Sequence, residues 1–239
     1  MALKVLPDAD AVARAVADRI LQDAQGAAHA RGAFRIALAG GSSPKPLYRL
    51  LAGQRDQVDW SVWQVFFGDE RVVPPEDEKS NYRLARETFL DHVPIPPMNV
   101  HRIRGELAPA AAAEDYAATL GDQRLDVVLL GMGDDGHTAS LFPGSPALDE
   151  RSTTVVTSVS PVPPKDRVTL TFPVLNAARA VYFVITGEAK AERLAQMLEQ
   201  RARGEPELPS ARVDPADGEL VIYADAPAAA KTRTPETTQ

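Results

Sequence analysis

The sequence predicts an α/β fold in which an open, mostly parallel β-sheet is flanked by helices on both faces. Three short apolar runs, residues 34–39, 125–130 and 180–185, are rich in branched side chains and have the near-continuous hydrophobicity of strands buried on both faces. Each run is followed within two residues by a glycine. Because ligands bind open α/β sheets in the crevice outside the carboxyl ends of the strands, we expect the functional residues in these loops.

The composition is that of an ordinary globular protein. Of the 239 residues, 44% are hydrophobic and 25% are charged. A chain of this length and composition can bury a substantial hydrophobic core. The formal net charge is -7 and no cluster of lysine and arginine occurs, which argues against nucleic-acid binding. The absence of cysteine excludes disulfides and thiolate chemistry. No apolar run approaches the roughly 20 residues of a membrane span, and no secretory pattern opens the chain, so we expect a cytoplasmic protein that binds no membrane.

The first predicted element is a long helix. Val12, Val16 and Ile20 recur at intervals of four within residues 8–31, which is the spacing of an apolar helix face. Gly32 is a suitable stop, and the strand at residues 34–39 follows.

The segment Gly40-Gly41-Ser42-Ser43-Pro44 follows that strand directly. Ser43 suits an N-cap and Pro44 suits the first helical position, so the pattern predicts a strand, a turn and a helix start. Unpaired N–H groups, the positive end of the helix dipole and two hydroxyls favour an anion there, most naturally a phosphate monoester. The Gly-Lys-Ser/Thr ending of a P-loop is absent. An ordinary capped turn is the alternative interpretation.

The next predicted strand, residues 62–67, ends in a charged segment. Asp69, Glu70 and Arg71 place two carboxylates and a guanidinium at the strand end. Such a group either forms plain ion pairs or serves a ligand, and both interpretations stay open. Ser80-Asn81 then caps a helix that we expect to run to about Asp91.

The loop from Gly131 to Gly144 is where we expect the chemistry. It follows the strand at residues 125–130, and its glycines allow sharp turns and a close approach of the backbone to a ligand. His137 is the only residue in the loop that exchanges a proton near neutrality, because its unperturbed pKa is about 6.5. Asp134 and Asp135 are close enough in sequence for one of them to orient it.

The same loop admits other interpretations. Its Gly-x-Gly-x-x-Gly pattern also occurs in dinucleotide sites, which need an acidic residue about 20 residues later at the end of the next strand. Asp149 and Glu150 lie near that distance but precede the next predicted strand. A metal site built on aspartate and histidine and a purely structural His137 are the remaining alternatives.

The rest of the chain completes the alternation of helices and strands. The remaining predicted elements are a helix at 109–120, strands at 155–157, 167–171 and 219–223, and a helix from Lys190 to about Arg203. The proline-rich segment 160–164 is stiff enough for an active-site flap or a connector.

Lys190 is unfavourable in the first turn of a helix unless it meets an anion, although a simple exposed lysine is the alternative. We predict one domain at residues 1–225 and a disordered tail at residues 226–239.

Four segments together closely resemble the 6-phosphogluconolactonase family, part of the glucosamine-6-phosphate isomerase/6-phosphogluconolactonase superfamily. They are residues 40–44, 68–74 with 80–82, 131–144 and 187–190, and their order and spacing match from about residue 8 to about residue 224. The resemblance implies a Rossmann-like fold without cofactor or metal. It also implies hydrolysis of 6-phospho-D-glucono-1,5-lactone to 6-phospho-D-gluconate, the second step of the oxidative pentose phosphate pathway. The expected partner is this sugar-phosphate lactone, and we expect a monomer or weak homodimer.

The resemblance also implies roles for single residues. His137 is expected to be the base that activates a water for attack on the lactone carbonyl, and Asp135 is expected to hold the histidine and the water. The implied phosphate and sugar contacts are Gly40, Gly41, Ser42, Ser43, Asp69, Arg71, Arg167 and Lys190. Arg167 matches the family motif only loosely, and Ser43 stands where many relatives have threonine, which keeps the hydroxyl.

Two other functions stay open. Amino-sugar phosphate deaminases and isomerases share the glycine loops and the Asp69-Glu70 pair, but they carry a glutamate five residues after the histidine, where this chain has Phe142. A non-catalytic sugar-phosphate sensor would keep the pocket, but such sensors are usually fused to a DNA-binding module, and this chain has no basic region. Both features favour the lactonase.

Overall fold

The chain alternates between strands and helices along most of its length. The structure is a computed structural model that describes residues 1–232 and leaves residues 233–239 undescribed. The elements are, in order, β1 (Ala2–Leu6), α1 (Ala9–Arg31), β2 (Phe34–Leu38), α2 (Lys45–Ala52), β3 (Trp63–Phe67), β4 (Asp69–Arg71), α3 (Asn81–Thr88), α4 (Pro109–Leu120), β5 (Val127–Leu130), β6 (Val155–Val159), β7 (Asp166–Leu170), α5 (Phe172–Ala177), β8 (Ala180–Ile185), α6 (Ala191–Arg203) and β9 (Glu219–Asp225). Short 3-10 turns lie between several of them.

The central sheet of the described part is parallel and six-stranded, in the order β1-β9-β8-β5-β2-β3. All four residues of β5 and all six of β8 are buried, as their continuous apolar sequences predict. Strands buried on both faces need helices to cover them. The flanking helices supply that cover, and the predicted α/β fold is confirmed.

The chain reverses its direction across the sheet between β2 and β5. After β2 it builds β3 on one side, and it then returns to place β5 on the other side of β2. The loops that follow β2 and β5 therefore diverge and leave a crevice at the carboxyl edge of the sheet. Residues 39–44 and 131–144 border this crevice, so the topology alone brings two of the predicted functional segments together.

The longest described helix, α1, matches the prediction closely. Asp8 caps it by accepting a hydrogen bond from the Ala11 N–H at 2.7 Å, and Gly32 ends it with a φ of 71°. Val12, Val16 and Ile20 are buried on its inner face. Within residues 1–232, no helix combines the length and the apolar character that a bilayer crossing needs.

A second, antiparallel sheet joins β4, β7 and β6 within the described part of the chain. Gly68 connects the two sheets, because its N–H donates to Leu38 O and its carbonyl accepts from Leu170 N, each at 2.9 Å. The charged residues 69–71, which the sequence places at the end of the strand at 62–67, form a short strand of their own. The strands predicted at 155–157 and 167–171 pair with each other as a hairpin, and residues 160–165 connect them.

Three helix boundaries differ from the prediction, and the simplest case is α6, which begins at Ala191 with Lys190 as its cap. Helix α2 begins at Lys45, so Pro44 takes the cap position and the predicted Ser43 N-cap is wrong. The reason is a tight turn just before the helix, in which Lys45 N donates to Ser42 O at 3.2 Å. Helix α3 ends at Thr88, and a 3-10 turn replaces its predicted last turn.

The segment after β9 folds back onto the domain. Ala228 and Ala229 are buried, and the Asp225 carboxylate accepts a hydrogen bond from Ala228 N at 2.8 Å. The disordered tail predicted from residue 226 is therefore wrong for residues 226–232, because two alanines there bury against the core. Residues 233–239 lie outside the described residues.

Candidate active site

A cavity of about 340 Å³ opens at the crevice between β2 and β5. Nine of the ten residues predicted for the site line it: Gly40, Gly41, Ser42, Ser43, Asp69, Arg71, His137, Arg167 and Lys190. The tenth, Asp135, contacts His137 instead of the cavity. The parallel sheet positions the glycine loops, and the antiparallel sheet positions the two arginines.

His137 is held through its Nδ1 side. Asp135 Oδ1 lies 2.5 Å from His137 Nδ1 and also accepts a hydrogen bond from the His137 backbone N–H at 3.0 Å. This arrangement favours a proton on Nδ1 and leaves Nε2 for the cavity. Burial disfavours the charged form of Asp135, but the His137 amide, the histidine charge and the ring N–H together lower the pKa of this carboxyl below its ordinary value. An ionised Asp135 beside a neutral His137 is the state in which the ring can accept a proton.

Two neighbours fix the plane of the His137 ring. Phe142 packs against it with the ring centroids 4.6 Å apart. A β-carbon at position 133 would lie 2.1 Å from His137 Nδ1 and 2.2 Å from its Cε1. Position 133 therefore requires glycine because the His137 ring packs directly against its α-carbon. The sequence predicted a close approach of this backbone to a ligand, but here the neighbour is the histidine.

Arg71 and Arg167 lie directly opposite each other across β4 and β7. Like charges in this relation are unfavourable, and Arg167 is only 6% exposed. Burial and then the Arg71 charge lower the pKa of the Arg167 guanidinium. An anion in the cavity would relieve this repulsion.

The protein supplies hydrogen-bond partners for only some of the N–H groups of these two arginines. Arg71 donates to Lys79 O at 2.5 Å, while its buried Nε has no partner among the described residues. Arg167 Nε donates to Pro164 O at 3.0 Å. Within residues 1–232 neither arginine forms an ion pair with a carboxylate, so the plain ion pair considered for Asp69, Glu70 and Arg71 is wrong.

Glu70 instead organises the backbone beside the cavity. Its buried carboxylate accepts hydrogen bonds from the N–H groups of Arg71, Asn81 and Tyr82 at 2.7, 2.7 and 2.8 Å, and from the Ser80 hydroxyl at 3.1 Å. Burial raises the pKa of Glu70, and the three backbone N–H groups oppose this effect. The result is a fixed connection between β4 and the start of α3.

Asn81 lines the cavity, although the sequence predicts it as part of a helix cap and of the family-like segment 80–82 and not as a site residue. Its Nδ2 donates to the Asp69 carbonyl at 2.9 Å and to Asp69 Oδ1 at 3.2 Å, and Ser140 Oγ donates to Asp69 Oδ2 at 2.6 Å. A β-carbon at position 40 would lie 2.0 Å from Asn81 Oδ1. Gly40 is therefore needed because the Asn81 side chain fills the space beside it.

The proline-rich connection of the β6–β7 hairpin also reaches the cavity. Ser160, Pro161 and Val162 line it, and Val162 is 61% exposed. The proline run predicts either an active-site flap or a connector, and the segment is in fact both the connection between β6 and β7 and part of the cavity lining.

Lys190 lines the cavity from the start of α6, which begins at Ala191. Its Nζ lies 2.5 Å from Asp134 Oδ1 and its side chain is only 23% exposed, so the simple exposed lysine is wrong. The conflict between a lysine and the positive end of the helix is offset here by the carboxylate of Asp134.

The donor set of the cavity suits an anion better than a metal ion. Residues with guanidinium, ammonium and hydroxyl groups line it, and these groups can donate the hydrogen bonds that a phosphate accepts. Within residues 1–232, no three histidine, aspartate or glutamate side chains are grouped closely enough to hold a metal ion.

Known proteins share this sequence pattern. Residues 7–222 match the sequence model of the family described as Glucosamine-6-phosphate isomerases/6-phosphogluconolactonase. The chain belongs to this family. A 6-phosphogluconolactonase of Nostoc sp. is 40% identical to it over 96% of this chain and 97% of that protein. The chloroplastic 6-phosphogluconolactonase 3 of Arabidopsis thaliana is 42% identical over 84% of this chain, and the match spans 66% of the plant protein's length.

Solved structures agree with the family assignment. The crystal structure of 6-phosphogluconolactonase from Thermotoga maritima has a TM-score of 0.82 at 30% identity and covers 94% of this chain and 99% of that chain. A monomeric glucosamine-6-phosphate deaminase has the same TM-score of 0.82 at 19% identity, over 97% of this chain and 100% of that chain, which shows a shared fold alone. The family membership and the Rossmann-like fold predicted from the four segments are confirmed.

Proposed function

We propose that this protein hydrolyses 6-phospho-D-glucono-1,5-lactone to 6-phospho-D-gluconate, the second step of the oxidative pentose phosphate pathway. The observation that supports this most directly is that an Asp135-bound His137 shares one cavity with the opposed Arg71–Arg167 pair. The first arrangement suits a general base and the second suits a phosphate. A phosphorylated ester needs both, and the named lactonase relatives support the choice of lactone.

His137 acts as a general base in this proposal. Its Nε2 takes a proton from a water molecule while the water oxygen attacks the lactone carbonyl carbon. The ring C–O bond then breaks, and the imidazolium returns the proton to the departing ring oxygen. Asp135 stabilises the imidazolium between these steps. A lactone carries an activated acyl carbon, so a base and good positioning are sufficient and no covalent nucleophile is required.

Backbone groups stabilise the charge that develops on the carbonyl oxygen. The loops at residues 40–43 and 131–132 line the cavity, and backbone N–H groups of such loops contribute strongly when they are aimed at a developing oxyanion in a water-poor site.

The phosphate is held at the cationic side of the cavity. Arg71, Arg167 and Lys190 supply the charge, and Gly41, Ser42 and Ser43 supply N–H and hydroxyl donors. Asp69 accepts hydrogen bonds from sugar hydroxyls with the lone pairs that Asn81 and Ser140 leave available.

The proposal is tested by measuring acid release from freshly generated 6-phosphogluconolactone, with the spontaneous rate subtracted, and by offering glucosamine 6-phosphate to the same preparation. We expect catalysis of the first reaction and none of the second. Deamination of glucosamine 6-phosphate would favour the isomerase alternative. Binding of sugar phosphates without either reaction would favour the sensor.

A further inference from the structure

Asp134 and Lys190 form an ion pair at the edge of the cavity, with Lys190 Nζ 2.5 Å from Asp134 Oδ1. The Asp134 side chain is 81% exposed, whereas the Lys190 side chain is largely covered and lines the cavity. A carboxylate from the loop that carries His137 therefore neutralises one of the three cations that face the cavity in the described part of the chain.

The start of α6 attracts an anion for two independent reasons. Lys190 is its cap residue, and the N–H groups of the first turn of this 13-residue helix add the positive end of the dipole. Asp134 supplies the anion that this position favours. Its backbone is fixed separately, because Arg193 Nε donates to the Asp134 carbonyl at 2.9 Å.

We propose that Asp134 is an exchangeable competitor for Lys190, which neutralises the lysine in the unliganded protein and gives way to the phosphate of the substrate. The identity of the ligand as a phosphate monoester rests on the proposed function. Ion pairs with an exposed partner contribute little free energy, whereas a phosphate monoester carries about 1.5 to 2 negative charges near neutrality. The incoming phosphate therefore displaces the carboxylate, and Asp134 recaptures Lys190 when the product leaves.

The exchange affects binding rather than the chemical step. When the Asp134 side chain leaves Lys190, the Arg193 contact to the Asp134 carbonyl still holds the loop. The neighbouring Asp135 then keeps its contact with His137. We therefore expect Asp134 to influence KM and product affinity, and to leave kcat nearly unchanged.

The substitution Asp134→Asn tests this directly, because it removes the competing charge with little change in size. We expect 6-phospho-D-gluconate to bind about two- to five-fold more tightly in titration calorimetry at low salt, which corresponds to about 0.4 to 1 kcal/mol. The KM for the lactone should fall by the same factor. Asp122→Asn removes an exposed carboxylate ahead of β5, at the opposite edge of the sheet, and is the matched control that should change neither quantity.

A second variant distinguishes competition for Lys190 from a general effect of removing one negative charge near the cavity. In a Lys190→Met background, Asp134→Asn should bring no further gain in affinity. Unchanged or weaker binding by Asp134→Asn alone, or no binding by any of these proteins, would overturn the proposal. Calorimetry measures binding without turnover, so a wild-type protein that binds 6-phospho-D-gluconate but hydrolyses no lactone would contradict the proposed function and not the competition.

Discussion

Gly133 lies so close to His137 that a β-carbon at position 133 would sit 2.1 Å from Nδ1 of the imidazole. Asp135 holds the same nitrogen by a hydrogen bond, and Phe142 packs against the ring. These three contacts fix the orientation of the ring before any substrate arrives. As the proposed general base, His137 is thus oriented in advance and would need no reorganisation during the reaction.

A methyl group at position 133 tests whether this close approach matters. Gly133→Ala should lower kcat by about 100-fold, because the methyl group displaces the ring by about 1 Å or breaks its contact with Asp135. Steady-state hydrolysis of the lactone measures the loss. Gly26→Ala in α1 is the control, because a methyl group there meets no atom within 4 Å and position 26 does not line the cavity, and it should keep most of kcat. Wild-type turnover by Gly133→Ala would show that the ring position is not critical.

Asp135→Asn should lower kcat by about 10- to 100-fold. The neutral amide can accept from Nδ1 but does not stabilise the imidazolium, so the loss should be smaller than the roughly 100- to 10,000-fold contribution of the base itself. The KM should change little, since Asp135 does not line the cavity. A loss confined to KM would mean that Asp135 serves substrate binding instead.

The same variant gives a pH dependence of stability. The pKa of Asp135 is lowered in the folded protein, so its contribution is present above the unfolded value of about 3.9 and is lost as the pH falls through the folded value. The difference in unfolding free energy between the wild type and Asp135→Asn should therefore be present above about pH 3.9 and shrink as the pH falls below that value. Urea unfolding at several pH values measures it, and a difference that grows below about pH 3.9 would contradict the assigned direction.

Arg167→Gln should raise the KM for the phosphorylated lactone by at least ten-fold and leave the KM for unphosphorylated gluconolactone unchanged. Without ligand, the same variant should have a higher Tm than the wild type, because a buried charge opposite Arg71 has been removed. Added phosphate should stabilise the wild type more than the variant. Arg14→Gln removes an exposed arginine of α1 and is the control. If phosphate stabilised the wild type, Arg167→Gln and Arg14→Gln equally, its binding site would have to lie away from Arg167.

Glu70→Gln should destabilise the protein by about 1 to 3 kcal/mol. Each oxygen of the Glu70 carboxylate accepts a hydrogen bond from at least one backbone N–H. In either orientation, the side-chain NH2 of glutamine would therefore face a backbone N–H group, and neither could accept. The start of α3 should loosen and Asn81 should lose its fixed place beside Gly40. Urea unfolding measures the first effect, and the KM for the lactone should rise with it. Glu87→Gln changes an exposed glutamate of α3 and should have little effect on either.

The parts of the fold that were predicted correctly depend on local sequence. The buried strands β5 and β8 are continuous apolar runs, β2 is apolar except for Arg35, and α1 carries its own periodicity, cap and stop. Such signals depend on neighbours in the chain and can be recognised without knowledge of the tertiary structure.

The parts that were missed depend on distant partners. The strand β1 has no distinctive pattern and forms by pairing with β9, more than 200 residues away in sequence. The strand β4 has three residues and forms by pairing with β7. The contact of Asn81 with Gly40 and the pairing of Arg71 with Arg167 are likewise set by tertiary structure, so the sequence indicated candidate residues without their geometry.

The most direct test of the account is the rate of 6-phosphogluconolactone hydrolysis by His137→Ala beside the wild-type protein, with the spontaneous rate subtracted. The variant should fold normally, bind 6-phospho-D-gluconate with nearly unchanged affinity, and lose about 100- to 10,000-fold in kcat, which is the usual contribution of a positioned general base. Near-wild-type turnover by this variant would contradict the assignment of His137 as the base.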